Sequence, residues 1–599
     1  MKNELLRNVL FDVNKPSRYM GGEFNLPNMD KPCDIRVCLC FPDVYEVGMS
    51  NIGMRILYHM LNDTDNVICE RCFAPEDDMS DKMRENALSL FSLETKRELA
   101  DFDIVGFSIG YEMIYTNVLF MLELAGIPFR ADERGEDGPL VIAGGMCAVN
   151  GEPFADFFDV ILVGEGEVNL KDLTLRYERA KRDGISKKEF LKSLVGVNGM
   201  YVPSITKPIY GEGNKIVSFT TDKVVRSVVK DLDKAYFPTK ILVPNIEIVH
   251  DRGVLELYRG CANGCRFCQA CFYYRPIRER KKDTVLRHAA EILDSTGYNE
   301  LSLASLSTGD YSELDALIEE LRPIVKERNA SLSLPSLRLD SFSGKFSEDS
   351  RKGSLTFAPE AGTQRLRDVI NKNVTDANID DTMKIAAEQG YKGVKLYFMI
   401  GLPTETKEDL RGIVEIVKRT QDIFFKYGDR NKRPRISLST AVFVPKPLTP
   451  FQWERQITLE EMCEKQNYLK GELAKLANVR YSYHDAYTSI IEAALARGDR
   501  RLCRVIERAY KKGSRFEAWS ERFNFENWVE AMSEEGLTLD EYVGGFEESD
   551  ILPWDNIDNG VDKGYLLSER KKAYEAIVTP SCKGKCNGCR ANKLGRCYE

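Results

Sequence analysis

The sequence predicts an α/β protein in which an N-terminal doubly wound parallel sheet precedes a partial or full parallel β/α barrel. A helical C-terminal region and a cysteine-rich tail follow. Two separate runs of short apolar strands alternate with amphipathic helices, which is typical of parallel sheets. The length of 599 residues is enough for several buried cores. Half of the 16 cysteines fall in two short runs, 261–271 and 582–597, and such clustering suggests metal rather than disulfides.

The composition is that of a soluble globular protein. A net charge of −9 argues against general DNA or membrane-surface binding, although a local basic groove stays possible. The sequence has no apolar run long enough to span a membrane, and its start lacks a secretory signal. We therefore expect a cytoplasmic protein with no membrane and no DNA partner.

Residues 1–170 are predicted to form the N-terminal domain. Each of its five apolar segments ends in a turn, and glycines mark several of these turns. Doubly wound sheets bind ligands at the carboxyl ends of their strands, where these turns fall. The predicted strands are Ile35–Phe41, Val67–Cys72, Asp103–Ser108, Pro139–Ala143 and Asp159–Val163.

Four further regions follow the first domain. Residues 171–250 are predicted to be a connector or small subdomain, because they are rich in glycine and proline. Residues 251–456 form the barrel, whose active site we expect at the carboxyl ends of its strands. Residues 457–578 are predicted to be helical, and the pattern Thr458-x-x-Glu461 predicts a capping box at the start of the first helix. Residues 579–599 form the tail. The predicted barrel strands are Val254–Tyr258, Glu300–Ala304, Ser331–Leu334, Ser354–Phe357, Gly393–Ile400 and Arg435–Phe443.

The first cysteine run directly follows the first barrel strand. Cys261, Cys265 and Cys268 have the spacing C-x3-C-x2-C. Three thiolates on one loop can hold three corners of a 4Fe–4S cluster and leave the fourth iron open. Structural zinc usually takes two C-x2-C pairs, so this spacing favours the cluster. Cys271 adds a fourth thiol, which is predicted to be packed nearby; as a ligand it would close the open iron.

This loop resembles the signature of the radical S-adenosylmethionine (radical SAM) superfamily, with Phe267 as its aromatic residue. The resemblance implies that the open iron binds S-adenosylmethionine and that the reduced cluster cleaves it to a 5′-deoxyadenosyl radical. It also implies an electron donor such as flavodoxin or ferredoxin. Three later turns resemble the family's loops for the methionine amino group, the ribose and carboxylate, and the adenine. Their residues are Thr308, Gly309 and Asp310, then Glu360, then Gly401, Leu402 and Pro403.

The N-terminal domain is similar to cobalamin-binding domains. Asp43, Tyr45 and Gly48 match the motif D-x-H-x-x-G, except that Tyr45 stands where the cobalt-ligating histidine would be. The whole chain therefore resembles an uncharacterised branch of the radical SAM proteins that carry a cobalamin-binding domain. The sequence leaves two interpretations open: cobalamin bound without a histidine ligand, or a relic nucleotide-binding fold. Further residues that the resemblance places at the cofactor are Ser108, Gly144, Gly145, Gly164 and Glu165.

The tail repeats the first spacing, with Cys582, Cys586 and Cys589 followed by Cys597. Four thiolates complete a closed coordination sphere, so a second 4Fe–4S cluster, a zinc knuckle and an unligated thiol-rich tail all fit. Basic residues surround these cysteines, which leaves RNA binding possible. Another basic run, residues 275–282, is predicted to be a solvated face.

Three functions fit these features. The resemblance implies the first, a cobalamin-dependent radical SAM enzyme that methylates an unactivated carbon. The second is a radical methylthiotransferase or another radical enzyme that modifies RNA or protein, in which the N-terminal domain does not bind cobalamin. The third is a non-catalytic metal-bearing protein, which predicts no cleavage of S-adenosylmethionine. The substrate, whether a small molecule, RNA or protein, leaves no local motif.

Overall fold

The computed structural model of the chain describes residues 2–333, 339, 354–429, 434–595 and 597. It confirms the mixed α/β architecture with parallel sheets. No helix in these ranges is both long and apolar enough to cross a membrane.

The N-terminal domain is built on one six-stranded sheet of order β2-β1-β3-β4-β5-β6. Strands β1 to β5 are parallel, and β6 joins antiparallel to β5. The order reverses between β1 and β3, and ligands of such sheets bind at that point. The elements are α1 Lys2–Phe11, β1 Ile35–Phe41, α2 Tyr45–Gly48, α3 Ile52–Asn62, β2 Val67–Phe73, α4 Asp77–Glu85, β3 Ile104–Ser108, α5 Tyr115–Leu124, β4 Leu140–Gly144, β5 Val160–Leu162, α6 Gly166–Arg182, α7 Lys187–Ser193 and β6 Met200–Tyr201.

The sheet thus continues past residue 170, where the sequence placed the boundary of the domain. Helices α6 and α7 pack apolar side chains such as Leu173 and Phe190 into the same core as β1 and β4. The connector that follows is short and irregular. Its strands are β7 Pro208–Tyr210, β8 Ile216–Phe219 and β9 Val224–Val225.

In its described residues the barrel region has seven parallel strands in two sheets, β10-β13-β14 and β15-β16-β17-β18. The predicted end of the third strand, Leu334, lies outside the described residues. The elements are β10 Gly253–Glu256, β11 Tyr258–Arg259, α8 Gln269–Tyr273, β12 Arg278–Glu279, α9 Lys282–Thr296, β13 Glu300–Ala304, α10 Leu314–Glu327, β14 Ser331–Ser333, β15 Ser354–Glu360, α11 Gln364–Val369, α12 Asp376–Glu388, β16 Gly393–Ile400, α13 Lys407–Tyr427, β17 Arg435–Val442, α14 Leu459–Leu473 and β18 Val479–Tyr483.

The C-terminal region is helical, as predicted, but it also supplies β18 to the barrel. The predicted capping box is present: the Thr458 and Glu461 side chains each accept from the other's backbone N–H. The remaining elements are α15 Ala486–Arg497, α16 Leu502–Lys511, α17 Phe525–Glu534, α18 Asp540–Val543, β19 Ile557–Asp558 and α19 Lys563–Tyr574.

This C-terminal region joins the two α/β units. Strand β19 pairs in parallel with β9 of the connector. Asn150, after β4, donates to the carbonyl oxygens of Ala496 and Gly498 at 3.0 and 2.9 Å. Arg500 pairs with the buried Glu152 carboxylate at 3.0 Å. The N-terminal sheet and the barrel are therefore fixed against each other by the same helices.

Candidate cofactor site

A cavity of about 560 Å³ lies between the carboxyl edge of the N-terminal sheet and the first strands of the barrel. The ends of β1, β3, β4 and β5 form one wall, and β10, β11 and the turn after β13 form the other. Five residues that the sequence assigned to a cofactor line this cavity, namely Ser108, Gly144, Gly145, Gly164 and Glu165. The cavity also reaches Gly260, which directly precedes the first cysteine of the loop.

Glycines let the backbone turn at this edge of the sheet. Gly145 has φ +112°, and a side chain there would meet the Ile109 carbonyl oxygen at 2.5 Å. Gly164 has φ +115°, and its side chain would collide with the backbone of Ser227. At Gly110, in contrast, a Cβ would meet no atom within 4 Å, because this position opens into the cavity. Gly145 and Gly164 are therefore required by close packing of protein backbone, and Gly110 leaves open space on the cavity side.

Charged side chains join the two walls of the cavity. The Arg259 guanidinium contacts the Glu256 carboxylate at 2.8 Å and reaches across to Glu167 of α6. Burial disfavours its charged form, but Glu256 and Glu167 hold the pKa of Arg259 well above its usual value. Glu165 accepts from the backbone N–H of Val229 at 2.5 Å and from Arg278 at 2.7 Å. Glu165 therefore ties the connector to the end of β5.

The structure does not bring Asp43, Tyr45 and Gly48 to the cavity. The chain turns into α2 directly after β1 and carries Tyr45 into the core, where its ring packs edge-on against Phe73 at 5.3 Å. The Tyr45 hydroxyl donates to Glu23 at 3.1 Å, and burial raises the pKa of this phenol. A Cβ on Gly48 would collide with the Phe73 ring. Asp43 accepts from the N–H of Val44 at 2.7 Å.

The turn that lines the cavity lies instead at the start of α3. Asn51 caps this helix by accepting from the N–H of Met54 at 2.9 Å, and Ile52 and Gly53 follow in the lining. The asparagine before an amphipathic helix was the signal that could have located this turn in the sequence. Among the described residues that line the cavity, none is a histidine.

The cysteine loop runs from β11 to α8. Gly260 begins it with φ +93°, and Cys265 is buried while Cys261 and Cys268 are partly exposed. Hydrogen bonding with the neighbouring Cys271 thiol lowers the pKa of Cys261 to about 6, whereas burial raises the pKa of Cys268 to about 12. A thiol with a lowered pKa is readily available as a thiolate ligand.

Cys271 is fully buried beneath the loop. Its thiol donates to the carbonyl oxygen of Asn263 at 2.6 Å and lies beside Cys261. In the described part of the chain, no three Cys, His, Asp or Glu side chains are placed to hold a single metal ion. A 4Fe–4S cluster does not require such convergence, because each thiolate binds a different iron. The donor set of the loop fits this cluster.

The turns predicted to bind S-adenosylmethionine lie around the same loop. Asp310 accepts from the Asn263 side chain at 2.8 Å, which ties the turn after β13 to the cysteine loop. In that turn Thr308 is buried, with its hydroxyl 3.1 Å from that of Ser305, and Gly309 follows. Lys372 pairs with Glu360 at 3.1 Å and also lies near Cys268.

The aromatic residue of the loop packs against the adenine turn. Phe267 and Leu402 belong to one apolar cluster that also contains Phe443 and Phe451. The backbone N–H of Gly401 donates to Glu405 at 3.0 Å, with Pro403 on the same turn. The sequence predicted these residues separately, and the structure brings them together at the carboxyl ends of the strands.

The tail docks on the cysteine loop. The backbone N–H of Cys582 donates to the carbonyl oxygen of Ala262, between the first two loop cysteines, at 2.9 Å. Burial, together with the nearby thiols of Cys589, Cys586 and Cys582, raises the pKa of Cys597 to about 11. The four tail cysteines are therefore neighbours of one another and of the first run.

The arginines of the basic run after the loop do not form the solvated face that the sequence predicted, whereas Lys281 of the same run is exposed. Arg275, Arg278 and Arg280 are buried, with exposures of 3%, 5% and 1%. Arg278 pairs with Glu165 of the N-terminal domain, and Arg280 pairs with Glu256 of β10 within the barrel region. Charge count alone could not reveal these partners, because both carboxylates are distant in the sequence.

Two sequence families match the chain. Residues 53–203 match the family described as "Radical SAM proteins, N-terminal", and residues 255–417 match "Radical SAM superfamily". The chain carries a radical SAM domain. This domain begins at β10 and includes the cysteine loop, and the superfamily implies a 4Fe–4S cluster and S-adenosylmethionine.

Among similar proteins, an uncharacterized protein of Methanocaldococcus jannaschii is 28% identical over 87% of this radical SAM chain and 98% of its own length. An uncharacterized methyltransferase of Pyrococcus horikoshii is 22% identical over 54% of this chain and 66% of its own. A solved structure is also similar, the radical S-adenosylmethionine methyltransferase TsrM from Kitasatospora setae with cobalamin and a [4Fe-4S] cluster bound. It has 14% identity and a TM-score of 0.44, and the match covers 68% of this chain and 74% of that chain.

Proposed function

We propose that this radical SAM enzyme binds cobalamin in the cavity between its N-terminal sheet and its barrel and methylates an unactivated carbon. The observation that carries the proposal is the cavity itself. It joins the ligand-binding edge of a doubly wound sheet to Gly260, the residue before the first loop cysteine. A cofactor in this cavity would therefore lie beside the site where S-adenosylmethionine is cleaved.

The residues of the cavity suit a large, mostly apolar ring. Leu39, Phe107, Ile142 and Ala143 give it an apolar floor, and Gly110 leaves open space on its wall. Cys261, Cys265 and Cys268 would hold the cluster. Asp310 and Glu360 would place polar groups of S-adenosylmethionine near it. Among the described lining residues no imidazole is available to the cobalt, so the cofactor would lack a histidine ligand from this chain.

The chain's own residues position and enclose the reactants. When bound, the cluster and S-adenosylmethionine supply a carbon-centred radical, and cobalamin supplies a methyl carrier. Arg259 holds the two walls of the cavity together through Glu256 and Glu167. Asn263 links the cysteine loop to Asp310. A low-potential electron donor, such as a flavodoxin or ferredoxin, would reduce the cluster.

Cobalamin binding is tested on the purified chain. We expect the protein, incubated with hydroxocobalamin and freed of excess by gel filtration, to retain corrin absorbance close to one equivalent. Absence of corrin from protein that holds its iron would contradict the proposal. That outcome would favour a radical enzyme without cobalamin, such as a methylthiotransferase that acts on RNA or protein.

A further inference from the structure

The cysteine tail is part of the radical site rather than a separate appendage. Besides the Cys582–Ala262 hydrogen bond, Lys583 reaches to 3.9 Å from Asp310, the residue that is tied to Asn263 of the cysteine loop. Asn587 donates to the Cys582 sulfur at 3.4 Å, and the backbone N–H of Asp562 donates to the Cys589 carbonyl oxygen at 3.1 Å. The tail is therefore held between the loop and the start of α19.

A buried arginine lies between the two cysteine runs. Arg275 donates to the Asn263 carbonyl oxygen at 3.1 Å and lies 3.8 Å from the Cys271 sulfur. It also lies within electrostatic range of Cys582 and Cys589. Two of its buried nitrogens, Nε and Nη1, have no hydrogen-bond partner among the described residues. The guanidinium also lies over the Phe272 ring, 5.0 Å from its centroid. A cluster held by four thiolates would give the two remaining nitrogens a negative partner.

The outer side of the tail is basic. Residues 579–597 contain five Lys or Arg residues and no Asp or Glu, in a chain whose net charge is −9. Lys583, Lys585, Arg590 and Lys593 are exposed, and so is Cys586. A local positive face on an acidic protein attracts an acidic partner and steers its approach. This face is built around the same cysteines that adjoin the loop.

We propose that the tail holds a second 4Fe–4S cluster and that this cluster relays electrons to the cluster of the cysteine loop. The basic face of the tail binds an acidic one-electron donor protein. One electron passes from the reduced donor to the tail cluster and then to the loop cluster, and no bond is made or broken. The inference rests on the proposed function only for the presence of the loop cluster. Zinc would serve as a clamp but could not carry the electron.

Metal analysis of the full chain, reconstituted anaerobically with iron and sulfide, tests the second cluster. We expect about eight iron atoms per wild-type chain and about four in the variant Cys586→Ala, which removes an exposed cysteine. The matched control is Cys463→Ala, a partly exposed cysteine of α14 that lies outside both runs. One zinc with about four iron atoms in the wild type would overturn the proposal, and so would unchanged iron in Cys586→Ala.

Reduction kinetics test the relay. The loop cluster of Cys586→Ala should be reduced by dithionite as in the wild type, whereas its reduction by a reduced acidic ferredoxin should slow by about tenfold or more. The charge-reversal pair Lys585→Glu and Lys593→Glu should slow ferredoxin-driven reduction by about ten- to a hundredfold at low salt and leave the iron content unchanged. The control pair Lys188→Glu and Lys192→Glu alters exposed lysines of α7 in the N-terminal domain.

The outcomes separate this inference from the proposed function. Equal ferredoxin-driven rates in all variants would overturn the relay, even if dithionite supports full activity. RNA binding that the charge reversal abolishes, with no change in reduction rate, would assign the basic face to RNA instead. If dithionite-reduced wild type fails to cleave S-adenosylmethionine while both clusters are present, the proposed function fails and the tail cluster stands.

Discussion

Arg266 and Glu569 form an ion pair in which neither side chain is more than 1% exposed, with Nη2 and Oε2 3.1 Å apart. Arg266 lies between the second and third loop cysteines, and Glu569 lies on α19. The arginine also donates to the carbonyl oxygens of Val369 and Ile577 at 2.9 and 2.7 Å. The geometry of the cysteine loop is therefore fixed by a helix that lies some 300 residues away in the sequence.

Removal of Glu569 should destabilise the loop. In Glu569→Ala the buried guanidinium loses its counter-charge, and loss of one partner of a buried pair costs about 3–5 kcal/mol. We expect a lower thermal unfolding temperature and weaker iron retention, with partial recovery in Glu569→Gln, which keeps one acceptor oxygen for Arg266. The control is Glu575→Ala at the exposed end of the same helix. Equal iron retention in Glu569→Ala and Glu575→Ala would contradict this role.

The cysteines of the loop should differ from Cys271 in their effect on the cluster. Cys261→Ala, Cys265→Ala and Cys268→Ala should each lose the loop cluster and the cleavage of S-adenosylmethionine. Cys271→Ala should retain the iron, because its thiol donates to the Asn263 carbonyl oxygen and needs no metal to be satisfied. Iron content and the cluster's visible absorbance measure both effects. If Cys271→Ala also loses the cluster, the prediction is wrong and Cys271 is a ligand.

A large side chain introduced at Gly110 should fill part of the cavity and block cobalamin. A phenylalanine there enters open space without backbone strain, so Gly110→Phe should fold normally and weaken cobalamin binding at least about tenfold, or about 1.4 kcal/mol. Gly135→Phe is the matched control, since its Cβ also meets no atom and it does not line the cavity. Equilibrium dialysis with hydroxocobalamin measures the difference. Equal binding by both variants would place the cofactor elsewhere.

The C-terminal helices carry an acidic group that should make stability depend on pH. Burial raises the pKa of Glu517 from 4.5 to about 7, although the Trp528 indole N–H donates to it at 2.8 Å. The protonated form is therefore favoured in the folded state. The contribution of protonated Glu517 to the stability of the fold is complete below pH 4.5 and is lost as the pH rises through about 7.

Glu517→Gln should remove this dependence. Near neutral pH and above, the variant should be more stable than the wild type, by on the order of 3 kcal/mol at most, and the difference should vanish at acidic pH. Thermal unfolding across this pH range gives the comparison. A wild type that becomes more stable relative to the variant as the pH rises would contradict the assignment.

Local patterns predicted much of this architecture. Runs of about four to nine mostly apolar residues located the main parallel strands of both units, and Thr458 and Glu461 located the start of α14, because short-range propensity and capping decide these features. Strand β18 was not predicted, since only two of its five residues, Val479 and Tyr481, are half-buried and the others are exposed. Its pairing with β17 depends on the fold as a whole.

The sequence predicted the position of residues that directly end a parallel strand. It did not predict the position of residues whose placement depends on packing between distant elements. Ser108 and Gly144 line the cavity because they end parallel strands at one edge of the sheet. Tyr45 was expected at the same edge, but the short helix α2 turns it toward Glu23. The link between Arg266 and Glu569 has no local signal at all, because it forms only when α19 packs on the loop.

The central claim is tested most directly by product analysis under anaerobic conditions. The full chain is reconstituted with iron, sulfide and hydroxocobalamin, reduced, and supplied with S-adenosylmethionine, and the products are quantified by mass spectrometry. We expect 5′-deoxyadenosine together with S-adenosylhomocysteine and methylcobalamin. Formation of 5′-deoxyadenosine alone, with and without hydroxocobalamin, would contradict the role of the N-terminal domain as a cobalamin site.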